Sequence, residues 1–457
     1  MAIGPSGRND EYLYHLDSFL SKSDSSTTDV ETYGDVITRQ LAQMTRTYNK
    51  ENIIFEMFGC GSNQYDQLLL PSFCLTPNED YTKNTALHEI HLVVPKKNDI
   101  NCENQKVKSL HAGGGHSALL TQEGILYLWG WNEHGQLGHL AESSVQTAEQ
   151  KLQTKSFITN SIQGLNVDFV TLGHAHTIFI EKDSKGLYAM GENSRGQVDP
   201  LNKTSKITKP ICLYPDKKFI DASAGVFHST AITVDGELLT FGHSKYTLPN
   251  KWKPEDGSRL VRVVCGHRHT AVLDQYGRVW TFGDEKNKYN QLGRQSDSSN
   301  RQTEPRLVDG ILGQKNSRCV EIDCGWSHCV ALVKNEDNNN RYTLYGWGRN
   351  DKGQLGIKQT NENGQNDMVK SPTKIFDTVN ICSVSCGSEC TMLVDENSNL
   401  WACGWNEHSN IPDSNKHVLE WIMINKCTSK IVAPVNQNIQ NKILLAAGGA
   451  HFLTMLT

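Results

Sequence analysis

Two stretches carry side chains that can do chemistry. Gly130-Trp131-Asn132-Glu133-His134 returns letter for letter at Gly404-Trp405-Asn406-Glu407-His408. A carboxylate next to an imidazole is the minimum for general acid–base catalysis, and both groups also bind metals. A third stretch sets Cys382, Cys386 and Cys390 at intervals that resemble ligand spacing. Catalysis asks for more: a nucleophile, an orienting partner or a metal cluster beside the acid and base. None of these accompanies Glu133/His134 or Glu407/His408. The phosphate-binding, serine-hydrolase and zinc-protease motifs GxxxxGK[ST], GxSxG and HExxH do not occur in the sequence. The expectation is a protein without an active site and without a cofactor.

The elements around these residues explain their recurrence. A Gly, two variable residues and a His enter an apolar strand at His116, His176, His228, His269, His328 and His451, and Cys390 takes the His place in one further copy. Seven copies recur at roughly 56-residue spacing, which is the signature of a repeat architecture. A second unit follows most of them: a strand ending in aromatic-x-apolar-Gly, then a loop resembling NxxGQLG, as in LYLWGWNEHGQLG and LYGWGRNDKGQLG. The two units joined by a short turn such as Gln122-Glu123-Gly124 read as a β-hairpin. The seventh copy of the second unit, FGCGSNQYDQLL at 58–69, precedes every His unit. This offset predicts that the N-terminal segment completes the last repeat, leaving no open sheet edge. The predicted fold is all-β, a seven-bladed propeller of four-stranded blades over residues 51–457, with inserts near 71–105, 294–316, 357–370 and 413–442. Residues 1–50 form a polar leader, with a short amphipathic helix suggested by Tyr33, Ile37, Leu41, Met44 and Tyr48.

Alignment of the copies reassigns the chemistry. One His per blade spreads the imidazoles around a ring, whereas a zinc site needs three or four ligands at one point. The six histidines are therefore expected to be structural, bonded to backbone and holding adjacent strands. Cys386 falls on a buried position, small in most copies, filled elsewhere by Ala112, Leu172, Ala224, Cys265, Cys324 and Ala447, and Cys390 fills the His slot, so this run is read as packing and no metal is expected. The Gly of the loop is expected at positive φ, with Asn290 standing in for it once. The residues one and three before the strand's last Gly are apolar in all copies and are expected to form core; these include Trp129, Trp280, Trp347 and Trp401.

Three further tryptophans depart from the repeat. The residue after that Gly reads Ser62, Trp131, Glu192, His243, Asp284, Arg349 and Trp405, mostly polar, which suggests a solvent-facing slot. Trp326 stands where other copies have Gly, His, Val or Ser. In an antiparallel hairpin the GxxH and GWN ends share one sheet edge, so Trp131, Trp326 and Trp405 are predicted on one face. Exposed Trp flanked by charge suits a binding hot spot. The predicted partner-binding set is Trp131, Glu133, His134, His267, Arg268, Trp326, Trp405, Glu407 and His408.

The GxxH[ST] and GxNxxGQLG pairs resemble the repeats of the regulator of chromosome condensation superfamily over roughly 54–457. The resemblance implies a seven-bladed propeller and a non-enzymatic, protein-binding role, or guanine nucleotide exchange on a Ran-type small GTPase. Residues 1–50 hold five Lys/Arg against seven Asp/Glu, so no basic chromatin-binding tail stands there. Trp405-Asn406-Glu407-His408 and the near-neutral to acidic single propeller resemble the family's fungal alpha-tubulin suppressor branch. That likeness implies an adaptor for a small zinc-binding electron carrier, serving Elongator in tRNA wobble-uridine modification and diphthamide synthesis. The chain ends on the last strand, and no ligase catalytic domain is expected.

The net charge of −5 gives no general attraction to nucleic acid or anionic membranes. No apolar run reaches 18 residues, and the N-terminus lacks a signal peptide's apolar segment. Thirteen cysteines, an odd number without a CxxC pair, fit reduced thiols. The expectation is a monomer of the cytoplasm and nucleus.

Overall fold

In the computed structural model of the chain, each GxxH strand and the aromatic-x-apolar-Gly strand after it pair antiparallel. Residues 52–62, 88–95, 106–138, 164–283, 287–294, 303–310, 317–335, 341–357, 368–408, 410–411, 417–424 and 443–456 are described. The register sets the repeat His opposite the strand's last Gly: His116 faces Gly130, His269 faces Gly283 and His328 faces Gly348. Cys390 faces Gly404 in the same way.

The strands sort into seven antiparallel sheets, five of four strands and two of three among the described residues. An inner strand precedes each His strand, and most blades add an outer strand. The outer strands Arg306–Leu307, Met368–Phe376 and Val418–Met423 lie partly or wholly in the stretches read as inserts. His88–Pro95 does the same in the closing blade. Outer strands meet solvent on one side, so their apolar alternation is weak: Met368–Phe376 is mostly exposed or half-buried along its length. This is why the sequence pattern did not single them out.

The ring closes as the offset predicts. Asn52–Gly61 pairs antiparallel with His451–Leu456, with Phe58 opposite Thr454 and Gly61 opposite His451. The strand order of that blade runs from His88–Pro95 outside, through Asn52–Gly61 and His451–Leu456, to Ile443–Ala447 inside. The leader and its predicted helix lie outside the described residues.

Adjacent blades bury both faces of each His strand. All six residues of His116–Thr121, His176–Glu181, His228–Thr233, His269–Asp274 and Cys390–Asp395 are buried. Of the two predicted core slots, only the one just before the Gly is wholly buried: Cys60, Trp129, Met190, Phe241, Phe282, Trp347 and Cys403. The slot two residues earlier is mostly half-buried, because it packs at the sheet's outer side. Trp401 there stacks edge-on to Phe376 at 5.3 Å and donates its indole N–H to Asp395 at 2.9 Å. Trp280 makes the equivalent bond to Asp274 at 3.2 Å.

Candidate partner-binding face

The loop letters that looked catalytic are structural. The Asn132 carboxamide oxygen accepts the Leu137 N–H at 2.8 Å, closing the loop on itself. Asn193, Asn287, Asn350 and Asn406 repeat this bond to Val198, Leu292, Leu355 and Ile411. The Gln side chain pins the tip: Gln136 accepts the His134 N–H and Gln354 the Lys352 N–H. Gly135 holds φ +80° and Asn290, in the same slot, φ +54°, as anticipated for a turn that disfavours other side chains.

The histidines form a ring between blades. His116 Nε2 lies 3.1 Å from Thr177 Oγ1 of the next blade, and His176 Nε2 lies 2.8 Å from Ser229 Oγ. His228 meets Thr270, His328 meets Thr391, and His451 closes on Ser117 at 2.9 Å. The hydroxyls of Thr177, Ser229 and Thr391 donate in turn to the backbone carbonyls of Gln136, Gln197 and Gln354. A hydroxyl that gives its proton to a carbonyl accepts from the imidazole, so Nε2 carries the hydrogen on a neutral ring. The expected bond to backbone between strands is thus replaced by a bond to a hydroxyl between blades. Burial pushes these histidines down to about 3 or 4. The motif glycine has a steric cause: a Cβ on Gly266 would stand 2.1 Å from His269 Cε1.

The predicted face is assembled by backbone bonds at the Gly ends. Trp131 N–H donates to Gly115 and Trp405 N–H to Glu389, each tying the GWN turn to the GxxH turn of its own hairpin. The GxxH turns also link across blades: Gly449 N–H to Gly113, Ser388 N–H to Gly448 and Trp326 N–H to Ser388. These turns line a central channel whose wall includes Gly113, His174, Val226, Gly266, Trp326 and Ser388.

The three tryptophans differ in exposure. Trp326 is 40% exposed at the channel mouth and packs on His267, ring centres 5.5 Å apart. His267 in turn touches Phe227 at 5.7 Å, and its neighbour Arg268 is exposed. Trp131 and Trp405 are half-buried, less open than the polar slot suggested. His134 stands edge-on to Trp131 at 5.0 Å, and His408 edge-on to Trp405 at 4.9 Å. Three residues along a tight turn, each imidazole folds back over the indole, which covers one side of it. Trp131 also meets His174 of the next blade at 5.9 Å; burial lowers the pKa of His174 despite nearby Glu192. Glu133 and Glu407 are exposed.

The structure adds a charged group that the sequence reading missed. Arg349, in the same slot as Trp131 and Trp405, forms an ion pair with Glu389 of the next blade and with Asp351 at 2.6 Å. Its guanidinium lies 5.0 Å from the Tyr289 ring centre, within cation–π range. Burial raises the Glu389 carboxyl above its usual range, outweighing the attraction of Arg349. The available signal was the slot itself, where a charged residue stands in the copy just before the Trp405 copy.

Cys382 is exposed, while Cys386 and Cys390 are buried, and Cys390 Sγ accepts the Asn410 carboxamide N–H at 3.3 Å. Among the described residues the donor atoms that converge are others: His269, Cys324 and Cys329, all within 4.8 Å of one another.

A family model described as the RCC1-like domain matches residues 56–454. The ultraviolet-B receptor UVR8 of Arabidopsis thaliana is 27% identical over 66% of this chain and 66% of its own length. The secretion-regulating guanine nucleotide exchange factor of Mus musculus is 24% identical over 87% of this chain and 83% of its own. The E3 ubiquitin-protein ligase HERC2 of Mus musculus is 28% identical over 62% of this chain, which spans only 6% of that protein. Among solved structures, Prp20p of Saccharomyces cerevisiae superposes with a TM-score of 0.63 at 18% identity, covering 90% of this chain and 94% of that one.

Proposed function

The chain belongs to the RCC1-like domain family, and from that premise we propose that it is a protein-binding propeller whose docking face is the Gly-end face of blades 4 to 6, counted from the blade that holds His116. The observation that carries this reading is Trp326. A 40% exposed indole at the channel mouth, packed on His267 beside the exposed Arg268, is a large apolar group kept at the surface. Arg349 stands in the same blade, and Trp405 and its ion-pair partner Glu389 stand in the next, giving an aromatic centre with a charged rim.

The partner we favour first is a small GTPase of the Ran type, with this face promoting guanine nucleotide release. The support is the exchange-factor relative, which this chain matches over most of both lengths. A finer alternative is the small zinc-binding electron carrier serving Elongator-dependent tRNA modification and diphthamide synthesis, with the 405–408 turn as its support. Release of labelled GDP from a Ran-type GTPase, with and without the full chain, separates the two. Acceleration that Trp326→Ala abolishes supports exchange at this face. No acceleration, with saturable binding of the purified carrier, supports the adaptor role. Binding of either partner that is unaffected by Trp326→Ala overturns the proposed face.

A further inference from the structure

At one junction of the inter-blade ring a thiol faces the ring histidine. In five other junctions the ring histidine meets a Ser or Thr hydroxyl of the next blade in the same slot. Between the fourth and fifth blades the slot holds Cys329, and His269 Nε2 lies 3.0 Å from its Sγ. A second thiol joins them. Cys324, directly opposite Cys329 in the hairpin register, brings its Sγ to 3.1 Å from Cys329 Sγ. Two sulfurs and one imidazole nitrogen from three strands thus lie within 4.8 Å of one another, all buried. Among the described junctions, this one sets two thiols beside a ring histidine.

We infer that His269, Cys324 and Cys329 form a binding site for a thiophilic divalent cation of the zinc class. Cysteine thiolate and imidazole are the donors zinc prefers, and three protein ligands leave one position open. Tetrahedral bonding sets such donors roughly 3.5–3.8 Å apart, so the thiols must separate by about half an ångström. Two thiolates and a neutral imidazole around a dication make a group of zero net charge, which suits a buried site. The Asp323 carboxylate is committed elsewhere: it accepts the N–H groups of Cys324 at 2.9 Å and Cys386 at 2.7 Å. Cys324 lines the central channel, which gives an ion its way in and a small ligand the fourth position. The inference stands apart from the docking face, although Trp326 lies on the turn between the two cysteines.

Other blades supply the variants that test it. Thr stands at the Cys329 slot in Thr177, Thr270 and Thr391, and Ala at the Cys324 slot in Ala112, Ala224 and Ala447. Cys329→Thr and Cys324→Ala therefore keep the fold's own residues. The full chain is titrated with Co²⁺ alone and followed by its tetrahedral ligand-field and thiolate charge-transfer bands. One equivalent is expected to bind in the parent and in Cys382→Ser, and none with those bands in Cys329→Thr or Cys324→Ala. Absence of thiolate bands in the parent, their persistence in both site variants, or a Cys324–Cys329 disulfide in the protein purified under reducing conditions would each overturn it.

Discussion

Trp326 and Trp405 donate their backbone N–H groups to consecutive carbonyls, those of Ser388 and Glu389, each at 2.8 Å. One comes from the fifth blade and the other from the sixth, so a single GxxH turn sets the spacing of both indoles. The same turn carries the Glu389 side chain that pairs with Arg349. Trp326 and Trp405 are therefore held in one rigid framework at the Gly-end face, without help from long loops. A pre-set aromatic pair lowers the ordering cost of docking.

Truncation of Trp326 should separate binding from folding. Its indole is partly exposed, so Trp326→Ala is expected to change unfolding free energy by less than about 1 kcal/mol. If it is a hot spot, partner affinity falls by about 2 kcal/mol, roughly 30-fold. Trp405→Ala should cost more stability, because half its ring is covered by His408 and the turn. Denaturant titration alongside a binding isotherm measures both; equal losses in the two assays for Trp326→Ala would contradict the assignment.

The buried ring predicts a marked sensitivity to acid. Six histidines are held down to about 3 or 4, against an ordinary value near 6.5 in the unfolded chain. Between those values the unfolded state binds more protons, so stability is complete above pH 6.5 and falls as pH drops toward 4. Each histidine withdraws on the order of 2 kcal/mol by pH 5. Burial raises Asp221 and Asp323 to about 6, and these work oppositely: they favour the folded state as pH falls from 6 to 4. Two such groups offset only part of the loss from six. Urea midpoints measured from pH 7.5 to 5 should fall steadily, and His176→Gln should flatten the slope. A flat profile would mean that the imidazoles take up protons in the folded protein as readily as in the unfolded chain.

How much of this was legible follows from what each residue contacts. The hairpins, the offset closure and the loop glycines depend on local pattern, and the repeat displays them openly. The Ser or Thr after four of the repeat histidines was visible as GxxH[ST], but its role was not, because the His it serves lies on the previous blade. Arg349 and Glu389 are 40 positions apart in different slots of different copies, and no alignment of like with like pairs them. The half-burial of Trp131 and Trp405 was hidden for a nearer reason. Equivalent slots predict equivalent exposure only when the neighbours are also equivalent, and only these two turns carry His three residues on.

The motif glycines divide into two kinds, and substitution should tell them apart. Gly266 has no positive φ, yet its Cβ would meet His269 Cε1 at 2.1 Å and the Gly325 carbonyl oxygen at 2.7 Å. Both neighbours belong to the inter-blade ring and cannot withdraw without breaking it. Gly266→Ala is expected to cost about 3 kcal/mol or more, toward the upper range of point substitutions. Gly257 holds φ +75° with nothing within 4 Å of an added Cβ, so Gly257→Ala carries only the left-handed strain, about 1 kcal/mol. Thermal denaturation of the two variants side by side checks the ranking.

Closure of the ring rests on one antiparallel pairing, and it can be removed directly. Gly61 sits at φ +110° opposite His451, and a Cβ there would stand 2.3 Å from the Ala450 carbonyl oxygen. The Ser62 N–H bonds that same oxygen at 2.8 Å. Gly61→Val therefore strains the backbone and pushes apart the two strands that join the chain's first blade segment to its last. Unlike a defect inside a hairpin, this one frees an edge on His451–Leu456, whose unpaired N–H and C=O groups invite pairing with another chain. The expected outcome is a lowered thermal midpoint with concentration-dependent oligomers, read by light scattering. The equivalent Gly242→Val, at φ +119° against the Phe227 carbonyl, disturbs a hairpin within one blade. It should destabilise to a similar degree while leaving a monomer. Oligomers from both variants, or from neither, would show that closure by this pair is not what keeps the sheet edge covered.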